Sequence, residues 1–153
     1  MAVPLRARGD MLDMAYREKT NWLTLIAMVI AYTVYFSIVL PRGTALSLLQ
    51  TLWLFAQVTI TQAVVVIIGN IVLAARTDKR ARVADERDRA IARRGATSGY
   101  YTLLVGMILV GVVAPFDDLP RTTLLNYALL WIVIAEAVRL TTIVSSYRRG
   151  WHG

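Results

Sequence analysis

NWLTLIAMVIAYTVYFSIVL, residues 21–40, contains no charged side chain. At 1.5 Å rise per residue a helix of this length covers about 30 Å, the thickness of a bilayer hydrocarbon core. In that medium every backbone N–H and C=O must be satisfied internally, which leaves a helix as the conformation open to a single apolar stretch. Pro41, Arg42 and Gly43 end it. Three further stretches read the same way, at about 44–75, 96–114 and 122–147. The second is longer than a bilayer requires, so it tilts or protrudes. Pro115 and the Asp117–Asp118 pair stop the third. The expected fold is all-α, an integral membrane four-helix bundle. A tail of residues 1–20, a loop at 76–95 and a tail at 148–153 complete the chain.

The composition fits this reading. Of the 153 residues, 57% are hydrophobic, yet the net charge is +7. A basic soluble protein would point to nucleic acid. Here the basic residues follow the spans instead. Arg6, Arg8, Arg17 and Lys19 precede span one, and Arg76, Lys79, Arg80, Arg82, Arg87, Arg89, Arg93 and Arg94 fill the middle loop. Arg148 and Arg149 follow span four, while the other two loops hold only Arg42 and Arg121. The positive-inside rule then places both termini and the middle loop in the cytoplasm, with no nucleic-acid partner expected. Trp22, Tyr100, Tyr101, Tyr147 and Trp151 fall at the inner aromatic belt, and Tyr35, Phe36, Phe116 and Tyr127 at the outer one. The charged start and long first apolar run differ from a cleaved signal peptide, so span one reads as a retained anchor.

The sequence offers little for catalysis. It has no cysteine and a single His, His152. Thiolate metal sites, iron–sulfur clusters and Ser–His or Cys–His nucleophile pairs are therefore not expected, and no metal or other cofactor is. Asp85-Glu86-Arg87-Asp88 alternates acids with an arginine and has no second acidic cluster to help hold Mg²⁺. It reads as a solvated ion-pair surface. Asp85 is placed to cap a helix with Asp88 three residues on, and to pair with Arg89. That helix would run into span three, with Gly95 a candidate kink.

Sliding the chain by 79 residues superposes Leu40-Pro41-Arg42 on Leu119-Pro120-Arg121, Thr44 on Thr123 and Gln57 on Glu136. The fold is thus expected to contain two duplicated transmembrane hairpins, related by an axis along the membrane normal. Gln57 and Glu136 would share one depth.

Polar residues within the spans are the candidate functional groups. An acid near a helix centre costs about 2.5–3.5 kcal/mol on insertion scales. Glu136 has Arg139 three residues on and on the same face. Three readings follow: a self-neutralised pair, a protonatable or ligand-coordinating acid, or a contact to another subunit. Span two carries Gln57, Gln62 and Asn70 on different flanks, for interhelical hydrogen bonds or a polar path. Gly95, Gly99 and Gly106 are spaced for close helix packing.

Tyr16-Arg17-Glu18-Lys19-x-x-Trp22, Ala84-Asp85-Glu86-Arg87-Asp88 with Ile91 and Arg93, and Tyr147-Arg148-Arg149-Gly150 together resemble a family of small four-span bacterial membrane proteins of unknown function. Those open with an aromatic-Arg-Glu-Lys signature and carry Asp-Glu-Arg in the middle loop. The resemblance implies a four-helix bundle in the bacterial inner membrane and no established activity. It also makes Met14 an alternative initiation point to Met1. Arg17, Glu18 and Lys19 would meet Asp85, Glu86, Arg87 and Asp88 at the cytoplasmic face, as a lock on the bundle or as a docking surface. The functional expectation is a non-catalytic accessory or regulatory subunit in the lipid bilayer that binds another membrane protein or itself. The alternative is a small oligomeric transporter or channel with Glu136 and Gln57 near a polar path.

Overall fold

The computed structural model describes residues 16–42, 45–77 and 86–149. Four helices traverse the molecule up and down: α1 (Tyr16–Arg42), α2 (Leu48–Ala75), α3 (Glu86–Ile108) and α4 (Arg121–Arg148). Each is long and apolar enough to cross a membrane, α3 together with the turns that extend it to Asp117. The chain is a multi-pass membrane protein with an all-helical bundle. The α1 and α4 helices, of 27 and 28 residues, are about 40 Å long. They therefore exceed the hydrocarbon by a turn or more. The starts of α1 and α3 and the ends of α2 and α4 lie together at what is here called the basic end.

Local chemistry explains the boundaries. Pro41 has no N–H to donate, and α1 stops at Arg42. The α2 helix opens with a capping box. The Ser47 hydroxyl accepts from the Gln50 N–H at 3.2 Å, and the Gln50 side-chain carbonyl accepts from the Ser47 N–H at 2.9 Å. The signal for it, Ser-x-x-Gln, shortens the second span from its expected start at 44. At the far end of α3 the chain widens into one π-helical turn, Leu109–Val113, and then tightens into a 3₁₀ turn, Ala114–Asp117. Pro115 is the cause: its ring would clash with the Gly111 carbonyl in a regular α-helix. A wide turn relieves that clash. Asp118, with φ of 49°, takes the left-handed conformation that ends the connection.

The α3 helix starts at Glu86, so it occupies much of the expected loop and carries the basic run on its first turns. It is continuous through Gly95. That glycine is buried and serves close packing. Asp85, its cap and its pairing with Arg89 lie outside the described residues, as do Trp151 and His152.

The helices pack unequally. Met28, Tyr35 and Val39 of α1 and Leu129 and Leu140 of α4 form the buried centre, with Leu54, Phe55 and Val58 of α2 against it. Tyr35 is fully buried and sits edge-on to Phe36 and Phe55. It belongs to the core rather than to the outer aromatic belt, because α1 is the helix shared by both α2 and α4. The α3 helix packs chiefly on α4. The α2 helix buries Thr51 alone, and none of its most apolar 18-residue window is buried.

This arrangement departs from the pseudo-two-fold that the 79-residue offset predicts. A two-fold would match the α1–α4 contact with an α2–α3 contact of equal extent, and the bundle has no such contact. Pro41 ends a helix, whereas Pro120 is the N-cap of the next. Measured from the helix starts, Gln57 lies nine residues into α2 and Glu136 fifteen into α4. Their depths differ by about 9 Å. The shared Leu-Pro-Arg is thus used in two different ways.

Candidate functional site

Lipid tails are as apolar as leucine, so helices in a bilayer associate through close packing and hydrogen bonds. The α3–α4 hairpin uses the first. Gly95, Gly99 and Gly106 are all buried on the face of α3 that meets α4. A Cβ at Gly99 would stand 3.0 Å from the Arg139 Cβ and 3.1 Å from the Ala135 carbonyl. One at Gly106 would stand 2.5 Å from the Trp131 ring and 2.6 Å from its Cβ. One at Gly95 would reach the Ile143 side chain at 2.5 Å and the Arg139 carbonyl at 3.0 Å.

That seam sets the position of Arg139. Its Nε donates to Glu136 Oε2 at 2.8 Å, and its Nη2 donates to Oε1 of the same carboxylate. A bidentate pair satisfies both oxygens and removes the net charge. Both side chains are about two-fifths exposed, so the pair lies on the bundle surface.

Among the described residues, the hydrogen bonds between helices at membrane depth do not come from Gln57, Gln62 or Asn70. Tyr32 and Thr59 join α1 to α2 at 3.2 Å. The Tyr35 hydroxyl donates to Asn126 Oδ1 at 3.3 Å, joining α1 to α4 within the core. Asn126 drew no attention in the sequence, although an amide in the first turns of a span is a visible signal. Thr61 bonds back to the Gln57 carbonyl at 2.8 Å within its own helix.

The intramembrane amides of α2 are left aside. Gln57 is exposed, and with Thr61 and the half-buried Gln62 it lines a groove of about 390 Å³ between α1 and α2. Ala27, Ile30, Ala31, Val34, Leu54 and Val65 make that groove otherwise apolar. Among the described residues the Gln57 and Gln62 side chains make no interhelical hydrogen bond. Asn70, nearer the basic end, has a fully shielded Oδ1 without a partner. A second groove, between α1 and α4, is lined by Met28, Tyr32, Phe36, Leu130, Val133 and Ala137 among others. Neither groove includes Glu136, so the geometry does not bring Gln57 and Glu136 together.

At the basic end the structure does join parts of the two charged motifs. Arg17 of α1 lies 3.3 Å from Asp88 of α3, and the Tyr147 hydroxyl of α4 donates to the other Asp88 oxygen at 2.6 Å. One carboxylate thus holds three helices. The Arg17 Nε is shielded from solvent and not aligned for a hydrogen bond, so its contact with Asp88 is an ion pair. The Arg148 guanidinium stacks 5.1 Å above the Trp22 ring, a further α1–α4 tie. Glu18 is buried in the first turn of α1, where the helix dipole favours an acid. Lys19 and Arg87 are half-buried and Glu86 is exposed.

Among the described residues, Tyr32, Tyr35, Arg17 and Tyr147 tie helices together through polar contacts, while Gln57, Gln62 and Asn70 of α2 make no hydrogen bond to another helix. No known protein family, no curated protein and no solved structure matches the chain.

Proposed function

We propose that this chain is a non-catalytic accessory or regulatory subunit of a bacterial inner membrane, and that it binds another membrane protein through the outer face of α2. The carrying observation is the exposed Gln57 beside Thr61 and Gln62 on a helix that buries only Thr51. An amide facing hydrocarbon without a partner costs on the order of 2–7 kcal/mol. A neighbouring transmembrane helix that offers a donor and an acceptor removes that cost. The basic residues around the tails and middle loop support a cytoplasmic placement of both termini. The lock of Arg17, Asp88 and Tyr147 would then hold the cytoplasmic end rigid while α2 engages its partner.

The transport reading stands second. It asks Gln57 and Glu136 to share a path, and the two residues lie on different surfaces, Glu136 neutralised by Arg139.

A photoreactive residue placed at Gln57 or Thr61, activated in native membranes, tests the proposal. The expected product is a discrete adduct whose mass exceeds the chain by that of one partner, absent when the label is moved to the exposed Ile132 of α4. An adduct of twice the chain mass would make the partner a second copy. Labelling of lipid alone at both positions would remove the proposal.

A further inference from the structure

The crevice between α3 and α4 at the basic end differs from both grooves at membrane depth. It encloses about 190 Å³ and is lined by Arg94, Ser145, Ser146 and Arg149. Arg94 immediately precedes Gly95, whose contact with Ile143 draws the two helices together. That approach brings Arg94 over the last turn of α4. Arg149 caps the same turn, its N–H donating to the Ser145 carbonyl at 3.0 Å. Both arginines are exposed. The Ser145 and Ser146 hydroxyls bond back to the Thr142 carbonyl at 3.0 and 2.7 Å. Each has one O–H, which can rotate from that carbonyl to donate to a stronger acceptor.

Two guanidinium groups from different helices flanking two hydroxyls suit a tetrahedral oxyanion. Guanidinium pairs with phosphate through parallel N–H donors and keeps five such donors, so a contact made elsewhere leaves capacity. The C-terminal end of α4 opposes an anion with about half a negative charge. Two whole positive charges outweigh it. The site also lies where the spans meet water: Arg94 directly precedes the apolar part of α3, and Arg149 directly follows that of α4. Lipid phosphates are concentrated at that level, and basic pockets between transmembrane helices take up such headgroups.

We propose that this crevice binds the phosphate of an anionic phospholipid, with Arg94 and Arg149 as its clamps and Ser145 and Ser146 as its floor. The proposal is independent of the partner assigned to α2. Phosphatidylglycerol titrated into the detergent-solubilised chain, with bound lipid counted by native mass spectrometry, tests it. Loss of one arginine in Arg149→Gln is expected to weaken binding about fivefold, and Arg94→Gln/Arg149→Gln about thirtyfold. The charge-matched Arg42→Gln/Arg121→Gln variant, at the other end, should bind as the parent does. Phosphatidylcholine should bind weakly and without dependence on the arginines. Equal phosphatidylglycerol affinity in the parent and the arginine variants would overturn the assignment. So would arginine-dependent binding of inorganic phosphate without binding of the lipid. The single variant, altered at an exposed helix end, keeps the test standing if the double variant does not fold.

Discussion

Replacing Gly106 by alanine tests how the bundle is held together. The new methyl group would stand 2.6 Å from the Trp131 Cβ and 2.5 Å from its ring. Ordinary carbon–carbon contact is about 3.5–4.0 Å. A ring can rotate away, but a Cβ is fixed to its own backbone, so the two helices must separate by roughly 1 Å. Overpacking of this kind costs about 1–3 kcal/mol. Alanine returns about 1 kcal/mol of helix propensity, leaving a net loss of up to about 2 kcal/mol. The other glycines supply internal controls. At Gly95 the nearest atoms belong to the Ile143 side chain, which can give way, with the Arg139 carbonyl at 3.0 Å. At Gly99 every contact is 3.0 Å or longer. At Gly111, in the wide turn, a methyl group meets nothing within 4 Å. The expected order of destabilisation is therefore Gly106→Ala, then Gly95→Ala, then Gly99→Ala, with Gly111→Ala neutral or stabilising. Reversible unfolding in mixed micelles of dodecyl sulfate and a mild detergent, followed by circular dichroism, measures it. Gly106→Ala matching Gly111→Ala would refute the claim that backbone proximity at Trp131 holds α3 to α4.

Two further outcomes follow from the hydrogen bonds and the ion pair. Tyr35→Phe should cost about 0.6–1.7 kcal/mol, the range of interhelical bonds in membranes. Adding Asn126→Leu should recover part of that loss in the same unfolding assay, since the orphaned amide is then gone; additive losses would deny the bond a role. Glu136→Gln should reduce stable membrane insertion, because it leaves Arg139 unpaired at a cost of about 2.5–3.5 kcal/mol. Glu136→Leu/Arg139→Leu should insert as well as the parent, as scored by glycosylation mapping. A double variant that inserts but loses its biological partner would return Glu136 to the binding surface.

The sequence revealed most where lipid imposes a rule. Hydrocarbon forbids unpaired backbone, so the four spans and their alternating direction follow from hydropathy. Small residues at helical spacing identified the α3 face, and Gly95, Gly99 and Gly106 all lie in the seam. The charged motifs were legible as a meeting place, realised in Arg17 and Asp88. What failed has a common cause. A helix that is apolar all round carries no amphipathic period to say which face is inward. Tyr35 therefore read as a belt residue, although it is the centre of the core. Tyr32, Thr59 and Asn126 gave no sign of their partners for the same reason. The offset repeat matched short words but not their roles, since Pro41 and Pro120 stop and start helices respectively. The turn at Pro115 was visible as a breaker, while the residue types alone do not specify that the chain relieves the clash by widening into a π-turn instead of ending the helix.

The unequal packing also separates structural from recognition elements. The α4 helix is fixed by the glycine seam on one side and by Tyr35–Asn126 and Trp22–Arg148 on the other. Among the described residues the α2 helix has one hydrogen bond to the bundle, Tyr32–Thr59, two ring contacts through Phe55, with Tyr32 and Tyr35, and a close approach of Gly69 to Leu23. Burial of apolar surface does not hold it, because lipid solvates that surface equally well. Its packing on α1 is as extensive as that of α4, but it lacks the second helical neighbour that α4 has in α3, and its amides are the ones left unsatisfied. On the proposed reading, an external partner helix would satisfy those amides. Loss of Thr59→Val should accordingly loosen α2 without disturbing the α1–α3–α4 unit, and exchange of α2 amide protons should rise while those of α4 hold.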